Sequence, residues 1–334
     1  MNNVAGIFIV ALMLTWSGIA GAAQTAKSVK PGVAAKNGGK RVSVSYKKDD
    51  GKTVKKAAAK ATAATAAAAT VEINGTLAAH GPDLKSSHAL VFDAMDGTVL
   101  YGKNVSQVSA IASITKLMTA MVVLDADLAL DEAIRIEKAD IDTLKHSGSR
   151  LRIGSVFARR DLLHMALMSS ENRAASALGR NYPGGTDAFV ARMNDKAHEL
   201  GMDSSRFAEP TGLSSQNVST AEDLALLVRA SLDYPLIREF TTTPSAQIHT
   251  ADNGHVYGFN NSNGLVRTST WQIDVSKTGY ISEAGQCLVM QARIRERPII
   301  IVLLDSWGKY TRIGDANRIK KWLESTALAA AHSS

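Results

Sequence analysis

The apolar residues recur with two different spacings from about residue 88 onward. Two short apolar runs, 88–93 and 98–101, flank Asp96-Gly97, a dipeptide typical of tight turns, and together they predict a β-hairpin. From Ser113 to Leu124 the apolar residues recur at helical spacing, which predicts a helix that begins with a capping serine. The same two patterns predict helices at 160–168, at a segment ending at 178, at 186–200, at 220–232 and around Trp322, and strands at 272–278, 286–294 and 298–304.

The order of these elements predicts the fold class. Strands come first, a mostly helical block covers about 113–240, and three strands follow, which Gly279, Gly285 and Arg297-Pro298 are expected to separate. Consecutive strands with short connections form antiparallel sheets, and helices cover such a sheet to bury its apolar faces. We therefore expect one α+β domain over 79–334, with an antiparallel sheet flanked by helices and an inserted all-helical lobe.

The N-terminus has the pattern of a secretion signal. Residues 4–16 form an apolar run that is followed by small residues up to Ala23. The run is shorter than the ~20 apolar residues that a membrane-spanning helix needs. No Lys or Arg precedes it, which departs from the usual signal pattern. We expect residues 1–23 to be a signal peptide and the mature protein to be periplasmic.

Positive charge is concentrated in the segment that follows. Residues 24–70 carry eleven Lys and Arg against two Asp, a net charge of +9, which leaves −2 for the rest of a chain whose formal charge is +7. A nearly neutral domain with a basic tail argues against a nucleic-acid partner. Residues 24–78, rich in Ala and Lys, are expected to be a disordered linker. The linker either binds an anionic glycan or phospholipid surface or only keeps the chain soluble.

Metal and thiol chemistry are disfavoured. The single cysteine, Cys287, lies in an apolar predicted strand, where a buried and unreactive thiol is expected. The eight histidines form no HExxH motif or close pair. Neither a zinc site nor any other metal or cofactor is therefore expected.

Ser113 and Lys116 are the first candidates for catalysis. A hydroxyl and an amine three residues apart on a helix share a face and can touch. Serine needs a base to become a nucleophile, and a lysine serves as that base only when burial or a second cation lowers its pKa from about 10.4. Lys277 is the candidate second cation. The Ser-x-x-Lys spacing also occurs at 45–48 and 306–309, but only at 113–116 does it open an apolar helix.

Two further motifs follow in the chain. Ser-x-Asn occurs as Ser170 with Asn172 and again at 215–217, and the first is favoured because it lies between two apolar helices, from which a side chain can project into a cleft. In either position the plain alternative is a helix cap or turn. The tripeptide Lys277-Thr278-Gly279 occurs once and ends a predicted strand.

In this order the three motifs resemble those of the serine penicillin-recognising enzymes. The wider sequence resembles the low-molecular-mass D-alanyl-D-alanine peptidases, and among them the endopeptidases of the penicillin-binding protein 7 type, over roughly residues 80–325. The segments that carry this resemblance are 111–120, 167–176, 193–194, 200–202, 209–213, 276–280 and 305–309.

The resemblance implies a role for each residue of the first two motifs. Ser113 would attack the carbonyl of a D-alanine residue and hold the peptide as an ester. Lys116 would accept the serine proton, Ser170 would relay it to the departing amine, and Asn172 would bond to the substrate's backbone amide.

The third motif is implied to hold the substrate. Lys277 and Thr278 resemble the residues that bind the terminal carboxylate, and Gly279 allows the strand backbone to approach the ligand. The oxyanion would lie between the backbone N–H groups of Ser113 and Tyr280.

The implied substrate is the stem peptide of peptidoglycan, with β-lactam antibiotics as inhibitors and a loose association with the membrane surface or other wall enzymes. An endopeptidase is favoured, since only 55 residues follow Gly279, too few for the additional β domain and anchor of many carboxypeptidases. A carboxypeptidase remains the alternative. Less favoured alternatives are a β-lactamase, for which Glu209 is the nearest acidic candidate, and a non-catalytic wall-binding module.

Overall fold

The computed structural model describes residues 81–331. The predicted signal peptide 1–23 and linker 24–78 lie outside the described residues and stay predictions. The strands are β1 Ser86–Asp93, β2 Val99–Lys103, β3 Ser109–Ala110, β4 Ala133–Arg135, β5 Val156–Ala158, β6 Val218–Ser219, β7 Ser245–His249, β8 Val256–Asn260, β9 Gln272–Ile281, β10 Gly285–Ile294 and β11 Arg297–Ser306. The helices are α1 Thr115–Asp125, α2 Arg159–Met168, α3 Asn172–Arg180, α4 Gly185–Glu199, α5 Ala221–Ser231, α6 Pro235–Thr242 and α7 Thr311–Ala331.

Five strands form one sheet in the order β2-β1-β11-β10-β9, and each neighbouring pair is antiparallel. The predicted hairpin at 88–101 is confirmed as β1 and β2. The central strands β10 and β11 are apolar along almost their whole length because both of their faces are buried. One face packs against α5 and the other against α7, which confirms the expected α+β architecture.

The helices α1 to α6 make up the predicted helical block. Helix α1 lies at its centre, where every residue from Thr115 to Val123 is buried against α2, α3, α4 and α5. Its buried positions are mostly apolar for this reason, with Thr115, Lys116 and Thr119 as the polar exceptions. No helix within residues 81–331 is both long and apolar enough to cross a membrane.

Two local expectations were wrong. Ser113 does not cap α1, since it lies in a 3-10 turn at Ala112–Ile114 and the helix begins at Thr115. Gly279 does not end its strand, because β9 continues to Ile281. In both places the backbone conformation is set by contact with a neighbouring segment rather than by the conformational preference of the local sequence. The two-stranded pairs β3–β6, β4–β5 and β7–β8 were not predicted.

Candidate active site

A cleft of about 540 Å³ lies between the edge strand β9 and the helical lobe. It brings together residues from all three sequence motifs. Those that line it are Ser113, Ser170, Asn172, Thr278, Gly279 and Tyr280. Lys116 and Lys277 are buried next to these residues, at 0% and 1% exposure.

Lys116 is held by three acceptors. Its Nζ atom donates to Oγ of Ser113 at 2.8 Å, to Oδ1 of Asn172 at 2.8 Å and to the carbonyl oxygen of Thr211 at 2.6 Å. An ammonium group has three protons and a neutral amine has two and a lone pair. The amide and carbonyl oxygens can only accept, so a neutral Lys116 must direct its lone pair at the Ser113 hydroxyl. The arrangement can therefore remove the serine proton.

Burial lowers the pKa of Lys116 to about 8, although the carboxylates of Glu209, Glu171 and Asp142 act to raise it. Burial also lowers the pKa of Lys277 well below its ordinary value, and the positive charges of Lys116 and Arg312 lower it further. Burial is thus the cause that lowers the pKa of Lys116, and the contribution expected from Lys277 as a second cation is not among the causes.

Ser170 and Asn172 follow the end of α2. Ser170 has a φ of 63°, a left-handed conformation that a serine adopts at a cost of order 1–3 kcal/mol, and such conformations cluster at functional sites. Asn172 accepts from Lys116 and donates through Nδ2 to Oγ of Ser147 at 2.9 Å. The alternative motif at 215–217 has another place: Asn217 is fully buried and bonds to Ala208, Glu209 and Thr115.

Thr278 and Lys277 lie side by side on β9. Nζ of Lys277 donates to the carbonyl oxygen of Thr278 at 2.9 Å, and Oγ1 of Thr278 donates to Oγ of Ser262 at 2.8 Å. Thr278 also lines the cleft, so its hydroxyl can donate to an anionic group of a ligand instead of to Ser262.

Two glycines hold the turn that carries Ser113. Gly212 has a φ of 82°, and a side chain there would overlap the carbonyl oxygen of Ala112. A side chain at Gly279 would lie 2.9 Å from the carbonyl oxygen of Ile111 and 3.0 Å from the nitrogen of Ser113. Gly279 thus allows β9 to lie directly against the turn of Ser113, and Tyr280 is the next residue on that strand. The peptide N–H groups of Ser113 and Tyr280 are the pair expected to bind an oxyanion.

Glu209 organises the loop on the far side of Lys116. Its carboxylate accepts from the backbone nitrogens of Thr211 and Gly212, both at 2.6 Å, and from Nδ2 of Asn217 at 3.1 Å. The loop conformation fixed by these bonds presents the Thr211 carbonyl to Lys116. Glu209 is not among the residues that line the cleft.

Arg312, Lys145 and Ser147 are among the cleft residues that were not found from the sequence. Arg312, in the first turn of α7, donates to the carbonyl oxygen of Gly279 at 3.1 Å and to Oε1 of Gln286. Burial lowers the pKa of its guanidinium. None of the three belongs to a short motif, and each reaches the cleft from a distant part of the chain, so no local signal marked them.

The expected burial of Cys287 is confirmed. It is fully enclosed in β10, and burial raises the pKa of its thiol to about 11. A thiol in this state is not a nucleophile at neutral pH.

Comparisons with known proteins agree with this geometry. A profile of the D-alanyl-D-alanine carboxypeptidase family matches residues 75–308. The D-alanyl-D-alanine endopeptidase of Pseudomonas aeruginosa is 51% identical over 252 residues, which are 75% of this chain and 81% of the relative. The endopeptidase of the same name from Escherichia coli is 45% identical over 268 residues, 80% of this chain and 84% of the relative.

A solved structure is also similar. The crystal structure of the Streptomyces K15 DD-transpeptidase superposes with a TM-score of 0.68 at 28% identity and covers 73% of this chain and 98% of its own. The fold is that of the DD-peptidases and serine β-lactamases. The chain thus belongs to the D-alanyl-D-alanine carboxypeptidase family, whose members are serine peptidases.

Proposed function

We propose that the protein is a serine DD-endopeptidase that hydrolyses the cross-links of peptidoglycan between the D-alanine of one stem peptide and the diamino acid of another. The observation that carries the proposal is the buried Lys116 amine, held by two fixed acceptors with its remaining position at Ser113 Oγ. That arrangement suits the formation of an acyl-enzyme.

The reaction begins with acylation. Neutral Lys116 takes the Ser113 proton, and Oγ bonds to the D-alanine carbonyl carbon, whose oxygen becomes an oxyanion between the N–H groups of Ser113 and Tyr280. The bond from that carbon to the cross-link nitrogen then breaks, and the proton reaches the leaving amine through Ser170. A water molecule next attacks the ester, gives its proton back through Lys116, and releases the D-alanine carboxylate and free Ser113.

Cations in and beside the cleft suit the carboxylate that lies beside the scissile amide on the leaving residue. Lys277 is adjacent to Thr278 on β9, and Arg312, which lines the cleft, donates to the carbonyl oxygen of Gly279. An anion bound here would stabilise the charged forms of Lys277 and Arg312, whose pKa values burial lowers.

Similarity favours the endopeptidase over the carboxypeptidase. The two endopeptidases above are 51% and 45% identical to this chain, whereas the D-alanyl-D-alanine carboxypeptidase of Streptomyces is 30% identical over 288 residues. Penicillins, which mimic the same acyl donor, are proposed to acylate Ser113.

Mass spectrometry of a purified cross-linked muropeptide dimer tests the proposal. The mature protein should split the dimer into monomers, and a Ser113→Ala variant should leave it intact. Loss of terminal D-alanine from an added pentapeptide without dimer cleavage would identify a carboxypeptidase instead. Rapid turnover of a penicillin would identify a β-lactamase, a role against which Glu209 argues because its carboxylate is bonded within its own loop.

We also propose that residues 1–23 direct export to the periplasm and that the basic linker 24–78 holds the enzyme near an anionic envelope surface. The support is the sequence pattern and the +9 charge of residues 24–70. Cell fractionation tests both points. When the full-length gene is expressed, the protein should be found in the periplasm and should lack residues 1–23. Deletion of residues 24–78 should weaken its association with the envelope, and added salt should do the same.

A further inference from the structure

An ion pair joins the two walls of the cleft. Lys145, which lines the cleft from the loop before β5, donates through Nζ to Glu283 in the turn between β9 and β10. The side chain of Lys145 is 29% exposed and that of Glu283 is 43% exposed. Glu283 does not itself line the cleft, but it directly follows Ser282, which does. We propose that this pair is the subsite for a stem-peptide side chain that ends in both an amine and a carboxylate, the free end of a diamino dicarboxylic acid.

Both partners of the pair are held in place by their own segments. The carboxylate of Asp142 accepts from the backbone nitrogens of Leu144, Lys145 and Ser147 at 2.7–2.9 Å, which fixes the loop. On the other wall, Oγ of Ser282 donates to Glu283 at 2.8 Å. A side chain bound to this pair would therefore meet groups that are already oriented.

The loop of Lys145 is also tied to the catalytic motif. Ser147, two residues further on, accepts from Nδ2 of Asn172, whose Oδ1 accepts from Lys116. The loop that carries Lys145 is thus joined to the base through the Asn172 amide.

The position along β9 assigns the residue that binds here. The carboxylate of the leaving residue is proposed to lie at Lys277, and the oxyanion at Tyr280. Glu283 lies beyond Tyr280 along the chain, in the turn that follows the end of β9 at Ile281. In the proposed arrangement the substrate residue before the cleaved D-alanine lies toward this end of the strand, where the pair is. This assignment rests on the proposed function.

The chemistry of the pair selects its ligand. A side chain with an amine and a carboxylate can bind Glu283 and Lys145 at once and leave neither charge without a partner. A side chain with an amine alone displaces Lys145 and leaves it unpaired, and a neutral side chain gains no charged contact. An exposed ion pair contributes little stability, so its exchange for two new pairs costs little.

Three synthetic peptides in which D-alanine is joined to the side-chain amine of a diamino acid, as in the cross-link, test the proposal. They differ only in the side chain of the residue before that D-alanine, which ends in an amine and a carboxylate, in an amine, or in an acetylated amine. We expect kcat/KM for the first to exceed that for the third about tenfold or more in the wild type. Lys145→Met and Glu283→Gln should each remove most of that preference.

Glu239→Gln is the matched control, because Glu239 forms an exposed ion pair with Arg160 outside the cleft. It should keep the wild-type preference, and melting curves should show all variants folded. Equal kcat/KM for the three peptides in the wild type, or an unchanged preference in both cleft variants, would overturn the subsite. Failure of the wild type to cleave any peptide or to react with penicillin would overturn the proposed function, and the subsite with it.

Discussion

At the scale of single residues, the amine of Lys116 determines when Ser113 can react. Only neutral Lys116 accepts the serine proton, and its pKa of about 8 means that the neutral form is lost as the pH falls. We expect the rate of acylation by a fluorescent penicillin to fall about tenfold per pH unit below pH 8. Lys116→Arg, which stays protonated, should be almost inactive at every pH. A flat profile between pH 6 and 8 would contradict this role.

A second prediction for a single residue concerns Glu209, which does not line the cleft. Glu209→Gln replaces one accepting carboxylate oxygen by an amide NH2 group, which can only donate. The hydrogen bonds to the backbone N–H of Thr211 or of Gly212 are therefore lost, and the Thr211 carbonyl that holds Lys116 shifts. Acylation should slow about tenfold, the effect of 1–2 kcal/mol. The negative charge of Glu209 raises the pKa of Lys116, so its removal should also move the acidic limb to lower pH.

A pH–rate profile of acylation distinguishes these two effects of Glu209→Gln. A uniform loss of rate with the limb unchanged would mean that Glu209 acts only through the loop conformation. Wild-type rates at every pH would show that the loop does not position the base.

At the scale of elements, strand β9 and the 3-10 turn at 112–114 depend on close contact through glycine. Gly279→Ala places a methyl group 2.9–3.0 Å from the backbone of Ile111 and Ser113, so the strand or the turn must move. A displacement of this kind typically costs about 100-fold in rate. Gly212→Ala should be as harmful and also destabilising, because its φ is positive.

Gly258→Ala in β8 is the matched control, since a methyl group there meets nothing within 4 Å. Penicillin acylation rates and melting temperatures of the three variants give the comparison. Normal acylation by Gly279→Ala would mean that the close approach of β9 is not needed for the oxyanion pair.

The elements also show what the sequence can and cannot predict. Apolar periodicity was sufficient to predict the hairpin, helices α2, α4 and α5, and strands β10 and β11. Each of these elements buries the face, or both faces, on which its apolar residues lie. It failed at Ser113 and Gly279, where a helix start and a strand end were expected. The conformation there is set by contact between residues 112 and 279, and by Gly212, which are far apart in the sequence.

At the scale of the whole molecule, the buried lysines oppose folding at neutral pH. Unfolded Lys116 has its ordinary pKa near 10.4, whereas the folded value is about 8. Between these values the unfolded chain binds a proton that the folded protein has released, so stability rises with pH. Relative to Lys116→Met, the wild type should gain roughly 2–3 kcal/mol of unfolding free energy between pH 7.5 and 10.5.

Urea unfolding of both proteins at several pH values measures this difference. The comparison cancels the shared groups that Lys116 does not influence. Lys277 is not one of them, because the charge of Lys116 lowers its pKa. Parallel stability curves would show that Lys116 keeps its ordinary pKa in the folded protein.

Only the site residues that belong to short motifs were predicted from the sequence. Ser113, Lys116, Ser170, Asn172 and the tripeptide at 277–279 were identified from residue type, spacing and resemblance, and the fold brings them into one cleft. Arg312, Lys145 and Glu283 come from α7, a loop and a turn. Their neighbours in space are fixed only when the sheet and the helical lobe have packed together.

The burial of Cys287 makes the native chain suitable for site-specific labelling. Its thiol is enclosed in β10 and, with a pKa raised to about 11, reacts poorly with maleimides at neutral pH. It is the one cysteine of the chain, so a cysteine introduced on the surface would carry a fluorophore alone, without prior removal of Cys287. A dye attached through Glu283→Cys would then report, in real time, the arrival of a glycopeptide or an antibiotic at the cleft.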